Sequence, residues 1–365
     1  MSNGKSIGVV LFQLGGPDSL EAVEPFLHNL FLDPDIIDFP FARLARPVLA
    51  KLISSRRARK VQAHYASIGG KSPICELTAR QARALERELR KTLDARVVVA
   101  MRYWHPLTEE AVREIEAQGL SRLVLLPLYP QYSKTTTGSS LNEWNRQYRP
   151  RPGVTVSSVE AFYDDPLYLD AVVEKINEGL AAAGFETEES RVASAARGAA
   201  EFDLPDSGSA RQSAVDHRAS AMAAPLPGDV VLVFSAHGVP VSVIEAGDPY
   251  RCHVEETVRL VMERGGWPNR HLLCYQSRVG PGRWLEPMLN GTLEQLAADG
   301  ERRVLVIPIS FVTDHVETLG EIDIEARELA GRAGIDQFVL MPALNDSPKF
   351  IAALASLVTR ACESG

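Results

Sequence analysis

Val230-Val231-Leu232-Val233-Phe234-Ser235-Ala236-His237-Gly238-Val239-Pro240 begins as an unbroken apolar run and ends in a small-residue turn that carries a histidine. A short run of this kind, bounded by turn signals and rich in β-branched residues, is the pattern of a strand buried on both faces. A second run repeats it, with Arg303-Val304-Leu305-Val306-Ile307-Pro308-Ile309 leading into Ser310-Phe311-Val312-Thr313-Asp314-His315-Val316-Glu317. In an open parallel sheet, ligands bind beyond the carboxyl ends of the strands. His237 and Glu317, 80 positions apart, are therefore expected at one cleft, where they suit metal or proton chemistry.

Six further runs share this character. Ile7–Leu14, Arg96–Met101, Arg122–Leu128 and Val154–Val159 fall in the first half, and His271–Tyr275 and Gln337–Met341 complete the second. Helical patterns separate them at Thr78–Leu93, Glu109–Gln118, Pro166–Ala183, Tyr250–Glu263 and Glu317–Ala330. This alternation predicts an α/β fold of two similar Rossmann-like domains, each a four-stranded parallel sheet flanked by helices, with the active cleft between them. The expected division is 1–160, 161–345 and a C-terminal helix in 346–365 that packs back on the first domain.

Two stretches break the symmetry. Residues 18–75 carry large apolar side chains (Phe26, Leu27, Leu30, Phe31 and others) followed by Arg56-Arg57-Ala58-Arg59-Lys60. They read equally as an apolar lip over the cleft or as an extra packed helical layer. Residues 186–228 hold too few large apolar side chains to offset the entropy of ordering, so a loosely ordered insertion is expected, with His217 a solvated loop histidine.

At 365 residues the chain can bury two proper cores, and 45% hydrophobic with 24% charged residues is ordinary for a soluble protein. A net charge of -8 leaves no basic excess to neutralise phosphates, which argues against nucleic acid as a partner. No apolar stretch approaches the roughly 20 residues a bilayer span requires. Met1 to Lys5 leads into a strand rather than a signal peptide, so a cytoplasmic location is expected. Cys75, Cys252, Cys274 and Cys362 lack any C-x-x-C spacing and read as isolated reduced thiols rather than a zinc or iron–sulfur site.

Several groups could carry chemistry. His237, beside Gly238, suits proton abstraction or ferrous iron, and equally a satisfied core histidine. Glu317, Glu321 and Glu325 recur at i, i+4 and i+8, on one helical stripe that is either a solvated face or a row of oxygen ligands for a hydrated cation. Tyr129 to Ser140 is a hydroxyl-rich loop able to donate to an anionic ligand or to cap a helix. Arg102-Tyr103-Trp104-His105-Pro106 and Gln276 to Leu285 offer flat apolar surface with guanidinium groups, as a large planar ligand carrying carboxylates requires. Trp104 and Trp284 are equally compatible with the core.

Taken together, the segments resemble the ferrochelatase family from Gly8 to about Ser356, apart from the 186–228 insertion. The matching motifs are Leu14-Gly15-Gly16-Pro17, Tyr65 through Ile68-Gly69-Gly70-Lys71-Ser72-Pro73, Arg102 to Pro106 and Tyr129 to Ser140. Ser235 to Pro240, Tyr275-Gln276-Ser277-Arg278 and Phe311 to Asp323 match as well. The resemblance implies a lyase that inserts Fe2+ into protoporphyrin IX, releasing two protons and giving protoheme in the final step of heme biosynthesis. It implies that His237 is the active-site histidine and Glu317 the carboxylate facing it across the porphyrin, both as catalytic groups and as iron ligands. It places Leu14, Arg57, Tyr65, Ser72, Arg102, Tyr103, Trp284 and Phe311 against porphyrin, and Asp314, His315 and Glu321 on a path for metal or protons.

Members with a [2Fe–2S] cluster carry a cysteine where Lys134 stands, or elsewhere internally, plus three near an extended C-terminus. This chain has only Cys362 there, so no cluster and no permanently bound cofactor are expected. Gln13 to Pro17 and the long apolar lip resemble the protoporphyrin-using branch more than the coproporphyrin III branch. The competing readings are a cobalt or nickel chelatase of another tetrapyrrole, such as sirohydrochlorin, and a non-catalytic heme carrier. The lip, with its basic cluster, also suits peripheral contact with the inner face of the membrane.

Overall fold

The computed structural model describes residues 6–36, 42–182, 184, 229–278 and 282–363. The expected insertion at 186–228, His217 included, lies outside these residues. β1 (Ile7–Gln13), β2 (Ala95–Met101), β3 (Arg122–Pro127) and β4 (Thr155–Ser158) form one sheet in the order β2-β1-β3-β4. β5 (Val231–His237), β6 (His271–Gln276), β7 (Arg303–Pro308) and β8 (Gln337–Leu340) form the other in the order β6-β5-β7-β8. Every pairing is parallel. All of β1 is buried, as is β5 except His237, which is why both read as continuous apolar runs.

The strand order places the functional edge. From the central strand the chain crosses first to one side and then to the other, so the switch point of each sheet lies between its first and third strands. Register sets His237 opposite Gln276 and Ser235 opposite Pro308. Ser277 and the Ser310–Glu317 stretch thus leave the second sheet at the same edge as His237.

The helices are α1 (Val23–Leu32), α2 (Ala42–Ser67), α3 (Ile74–Leu89), α4 (Thr108–Ala117), α5 (Ser139–Gln147) and α6 (Pro166–Ala182). They continue with α7 (Val241–Glu245), α8 (Tyr250–Gly265), α9 (Leu289–Ala298), α10 (Arg327–Ala333) and α11 (Pro348–Glu363). α11 packs on α3 and α6 and reaches β3 and β4. One apolar core therefore runs through both halves, including Leu11, Leu85, Val172, Leu305, Phe350 and Leu354. Full burial of each such side chain contributes about 1.5–3 kcal/mol. In the 18–75 stretch, α1 packs on α2 around Val23, Phe26, Leu27 and Tyr65, with Tyr103 joining from the end of β2. It is thus a packed helical layer, yet it leaves Val48, Leu49 and Leu52 of α2 exposed.

One expectation is corrected. The Glu317–Ala330 pattern is not a single α-helix: Glu317–Ala326 is π-helical, and α10 follows it. A second π-helical segment, Lys134–Gly138, precedes α5 at the equivalent place after β3. Such i→i+5 turns are rare and concentrate at functional sites.

Candidate active site

At the shared strand edge lies a cleft open to solvent, with about 730 Å³ of empty space when its open mouth is counted. Leu14, Ile74, Leu128, Val239, Phe311 and Val312 give it apolar walls, and His237, His315 and Glu317 enter it. Among the described residues that line it, only these two histidines and Glu317 change charge between pH 2 and 9 in an unperturbed protein.

His237 is held from three directions. Its backbone N–H donates to Ser310 Oγ at 3.0 Å, and its carbonyl accepts from the Tyr250 hydroxyl at 3.0 Å. Its Nδ1 meets Glu317 Oε2 at 2.9 Å. Gly238 is required beside it, because a Cβ there would lie 2.7 Å from the Gln276 carbonyl oxygen. The expectation that Glu317 faces His237 across the porphyrin is therefore corrected. A macrocycle does not fit between groups 2.9 Å apart, so the two stand together on one side of the cleft.

A polar chain leads away from this pair. Ser277 Oγ lies 3.0 Å from Glu317 Oε2 and 2.5 Å from Glu321 Oε2, and the Ser277 N–H donates to Glu321 Oε1 at 2.8 Å. Ser277 sits at φ 63°, a left-handed conformation unusual for serine, which turns both its N–H and its hydroxyl toward the carboxylates. The π-helical turn brings Glu317 and Glu321 to the same serine, whereas Glu325 pairs with His64 at 3.5 Å. The three glutamates do not form one continuous row.

Electrostatics orders the chain. Burial opposes a charged His237, but Glu317 and then Glu321 outweigh it and raise its pKa. Burial likewise opposes ionised Glu317, yet the charge and hydrogen bond of His237 hold its carboxyl well below the ordinary range. Within the pair the proton therefore favours His237 over Glu317. Burial first, and the charge of Glu317 second, push Glu321 up, which makes it the better resting place for a proton. Burial lowers the pKa of His315 despite the nearby Glu317. Its Nδ1 lies 3.1 Å from the Thr313 carbonyl and so carries the proton, leaving a lone pair on Nε2, 3.9 Å from Glu317 Oε2.

The remaining expected residues divide. Leu14 and Phe311 line the cleft. Tyr65 is buried beneath it, its phenol pKa raised by burial and then by the charge of Glu317. Trp284 is half-buried against the Gly238 turn, with its indole N–H unpaired. Ser72 is buried against Gly16, where a Cβ would lie 2.6 Å from its side chain. Arg57 is exposed on α2, over the Phe31 ring at 5.8 Å.

Arg102 and Tyr103 are absent from the cleft lining. Both are committed to the buried carboxylate of Asp33, Arg102 at 2.9 Å and the Tyr103 hydroxyl at 2.5 Å, and Arg102 also bonds Ser139 at 2.7 Å. Their work is to anchor the end of α1. Asp314 is likewise bonded to Asn345 and Thr318, closing a turn rather than facing His237. Tyr250, Ser310 and Ser277 bond to His237, Glu317 or Glu321, contacts that the sequence reading did not assign to them individually. Tyr250 opens α8 and reads as an ordinary first-turn residue, while the two serines sit inside quoted motifs without a signal of their own.

The sequence profile of the ferrochelatase family matches residues 6–226 and 211–362. The chain is 46% identical over 352 residues to a ferrochelatase of Geotalea daltonii, covering 96% of each chain. It is 46% identical over 357 residues to one of Geotalea uraniireducens, covering 98% of each. It is also 44% identical to one of Synechocystis sp., covering 96% of this chain and 81% of that one. A solved structure of SirB from Bacillus subtilis with Fe3+ aligns over 98% of this chain and 95% of that one, with a TM-score of 0.51 and 11% identity, a likeness of fold. With its matching profile, its relatives and its paired parallel sheets, the chain belongs to the ferrochelatase family.

Proposed function

We propose that this enzyme inserts Fe2+ into protoporphyrin IX, with loss of the two pyrrole protons and formation of protoheme. The observation that carries the reading is the His237–Glu317 pair, which enters an apolar cleft from one side and continues through Ser277 to Glu321. Metal insertion requires two pyrrole N–H groups to lose protons as a divalent cation sheds water. Neutral His237, its Nδ1 proton held by Glu317, has a lone pair on Nε2 that accepts a pyrrole proton; the imidazolium so formed can pass its Nδ1 proton to Glu317 and on toward Glu321. Loss of the Nε2 proton to water, with a proton returned from Glu317 to Nδ1, restores the acceptor for the second pyrrole proton. Apolar walls on the ring faces favour the distorted macrocycle whose nitrogen lone pairs point at the metal.

The described lining favours protoporphyrin over coproporphyrin III, because it offers no lysine or arginine and a substrate with more carboxylates calls for more cations. Initial rates of anaerobic Fe2+ insertion should be higher with protoporphyrin IX than with coproporphyrin III. The opposite order would move the enzyme to the other substrate, and failure with both would remove the reading.

The four thiols lie on α3, α8, β6 and α11, which supports an enzyme without an iron–sulfur cluster. Iron–sulfur absorbance bands in the purified protein would refute that. No helix among the described residues is long and apolar enough to cross a membrane. The exposed Val48, Leu49 and Leu52, with Lys51, Arg56 and Arg57 on the same helix, support peripheral docking on an anionic bilayer. Co-sedimentation with phosphatidylglycerol vesicles, lost when the three apolar residues become serine, tests it.

A further inference from the structure

The hydroxyl-rich loop after β3 is bonded residue by residue to the opposite half of the molecule. Gln131 Nε2 reaches Thr257 Oγ1 at 3.1 Å, and the Tyr132 N–H reaches His253 Nδ1 at 3.2 Å. Lys134 Nζ reaches the Ala246 carbonyl at 2.8 Å. At the centre is Asp248, buried at 4% exposure. Its Oδ2 accepts the Ser133 hydroxyl at 3.0 Å and the Lys134 N–H at 2.7 Å, and its Oδ1 accepts the Tyr250 N–H at 2.9 Å. The first donor belongs to the wall formed by Ser133, Thr135 and Thr136, the second to Lys134 between them in sequence, and the third to the residue whose hydroxyl holds the His237 carbonyl.

We propose that Asp248 is a positioning residue that sets the placement and the hydrogen-bond polarity of the cleft wall relative to His237. A carboxylate only accepts, so the single Ser133 proton is committed to Asp248. The Thr135 hydroxyl, 2.9 Å from Ser133 Oγ, must then be the donor to it, and presents lone pairs to the cleft. Asp248 thereby dictates an acceptor at that wall without touching the ligand. That the ligand is a porphyrin rests on the proposed function; the clamp itself does not.

Asp248→Asn tests it. Whichever way the amide turns, its NH2 meets either the Lys134 or the Tyr250 N–H, and one anchor is lost. Porphyrin KM and the Kd from fluorescence titration should both rise about tenfold, with the metal KM unchanged. Amide hydrogen exchange should accelerate at Lys134 or Tyr250 and stay unchanged in β1 and β5. Ser133→Ala, which keeps the carboxylate, should show the same signature at smaller size. Unchanged porphyrin KM and Kd in both variants would overturn the proposal, as would an equal rise in porphyrin and metal KM. The Kd and the exchange need no turnover, so a wild type that binds porphyrin without inserting iron would remove the proposed activity and leave the clamp testable.

Discussion

Glu317→Gln keeps the size of the side chain and removes its charge, so it separates the electrostatic work of the pair from its shape. In the native protein, burial lowers the pKa of His237 and Glu317 raises it, with Glu317 prevailing. A hydrogen bond to a charged group contributes about 1.5–3 kcal/mol net. The imidazole is 37% exposed, so screening places this pair near the lower end, at about 1.5 kcal/mol. The His237 pKa should fall in the variant, because the charge that raises it is gone.

Stability should follow with a defined pH dependence. A raised His237 contributes fully below its unfolded value of about 6.5 and loses that contribution as pH rises through its folded value. A lowered Glu317 contributes fully above its unfolded value of about 4.3 and loses it as pH falls through its folded value. Both contributions are complete between roughly pH 4.3 and 6.5. There the variant should melt roughly 2 °C below wild type, with the gap closing at alkaline pH. NMR titration of the imidazole and thermal unfolding across pH measure these effects. An unchanged His237 pKa, or a melting deficit independent of pH, would refute the ion-pair account.

Ser277→Gly should separate stability from activity. Glycine relaxes the φ 63° backbone, so Tm should hold or rise, while loss of the hydroxyl between Glu317 and Glu321 should lower kcat about tenfold or more. A variant with full kcat would remove Ser277 from the proton path. Gly238→Ala drives a Cβ to 2.7 Å from the Gln276 carbonyl, and chemical denaturation should show a loss of about 1–3 kcal/mol. Native stability in that variant would show that the turn can yield.

The fold could be read largely because parallel strands buried on both faces must be apolar throughout. Ile7–Gln13 and Val231–His237 announce themselves without help from their partners. The placement of His237 and Glu317 at one edge followed from the same rule. Their direct contact did not, because a position after a strand does not fix where a side chain points. The meeting of Glu317 and Glu321 at Ser277 falls on a π-helical segment that an i, i+4 spacing does not distinguish from an α-helical one. Arg102 and Tyr103 followed a strand and carried suitable chemistry for the cleft. The carboxylate that claims them, Asp33, lies about 70 residues earlier, at the end of α1. The clamp at Asp248 was hidden in the same way, since Asp248-Pro249-Tyr250 has the local look of a helix start.

The most direct test of the account is the rate of Fe2+ insertion, followed anaerobically as loss of protoporphyrin IX fluorescence, in wild type and in His237→Ala. The expected result is turnover by wild type and a loss of at least about a hundredfold in a variant that still folds and binds the porphyrin. A folded His237→Ala protein that inserts iron at a near-normal rate would contradict it.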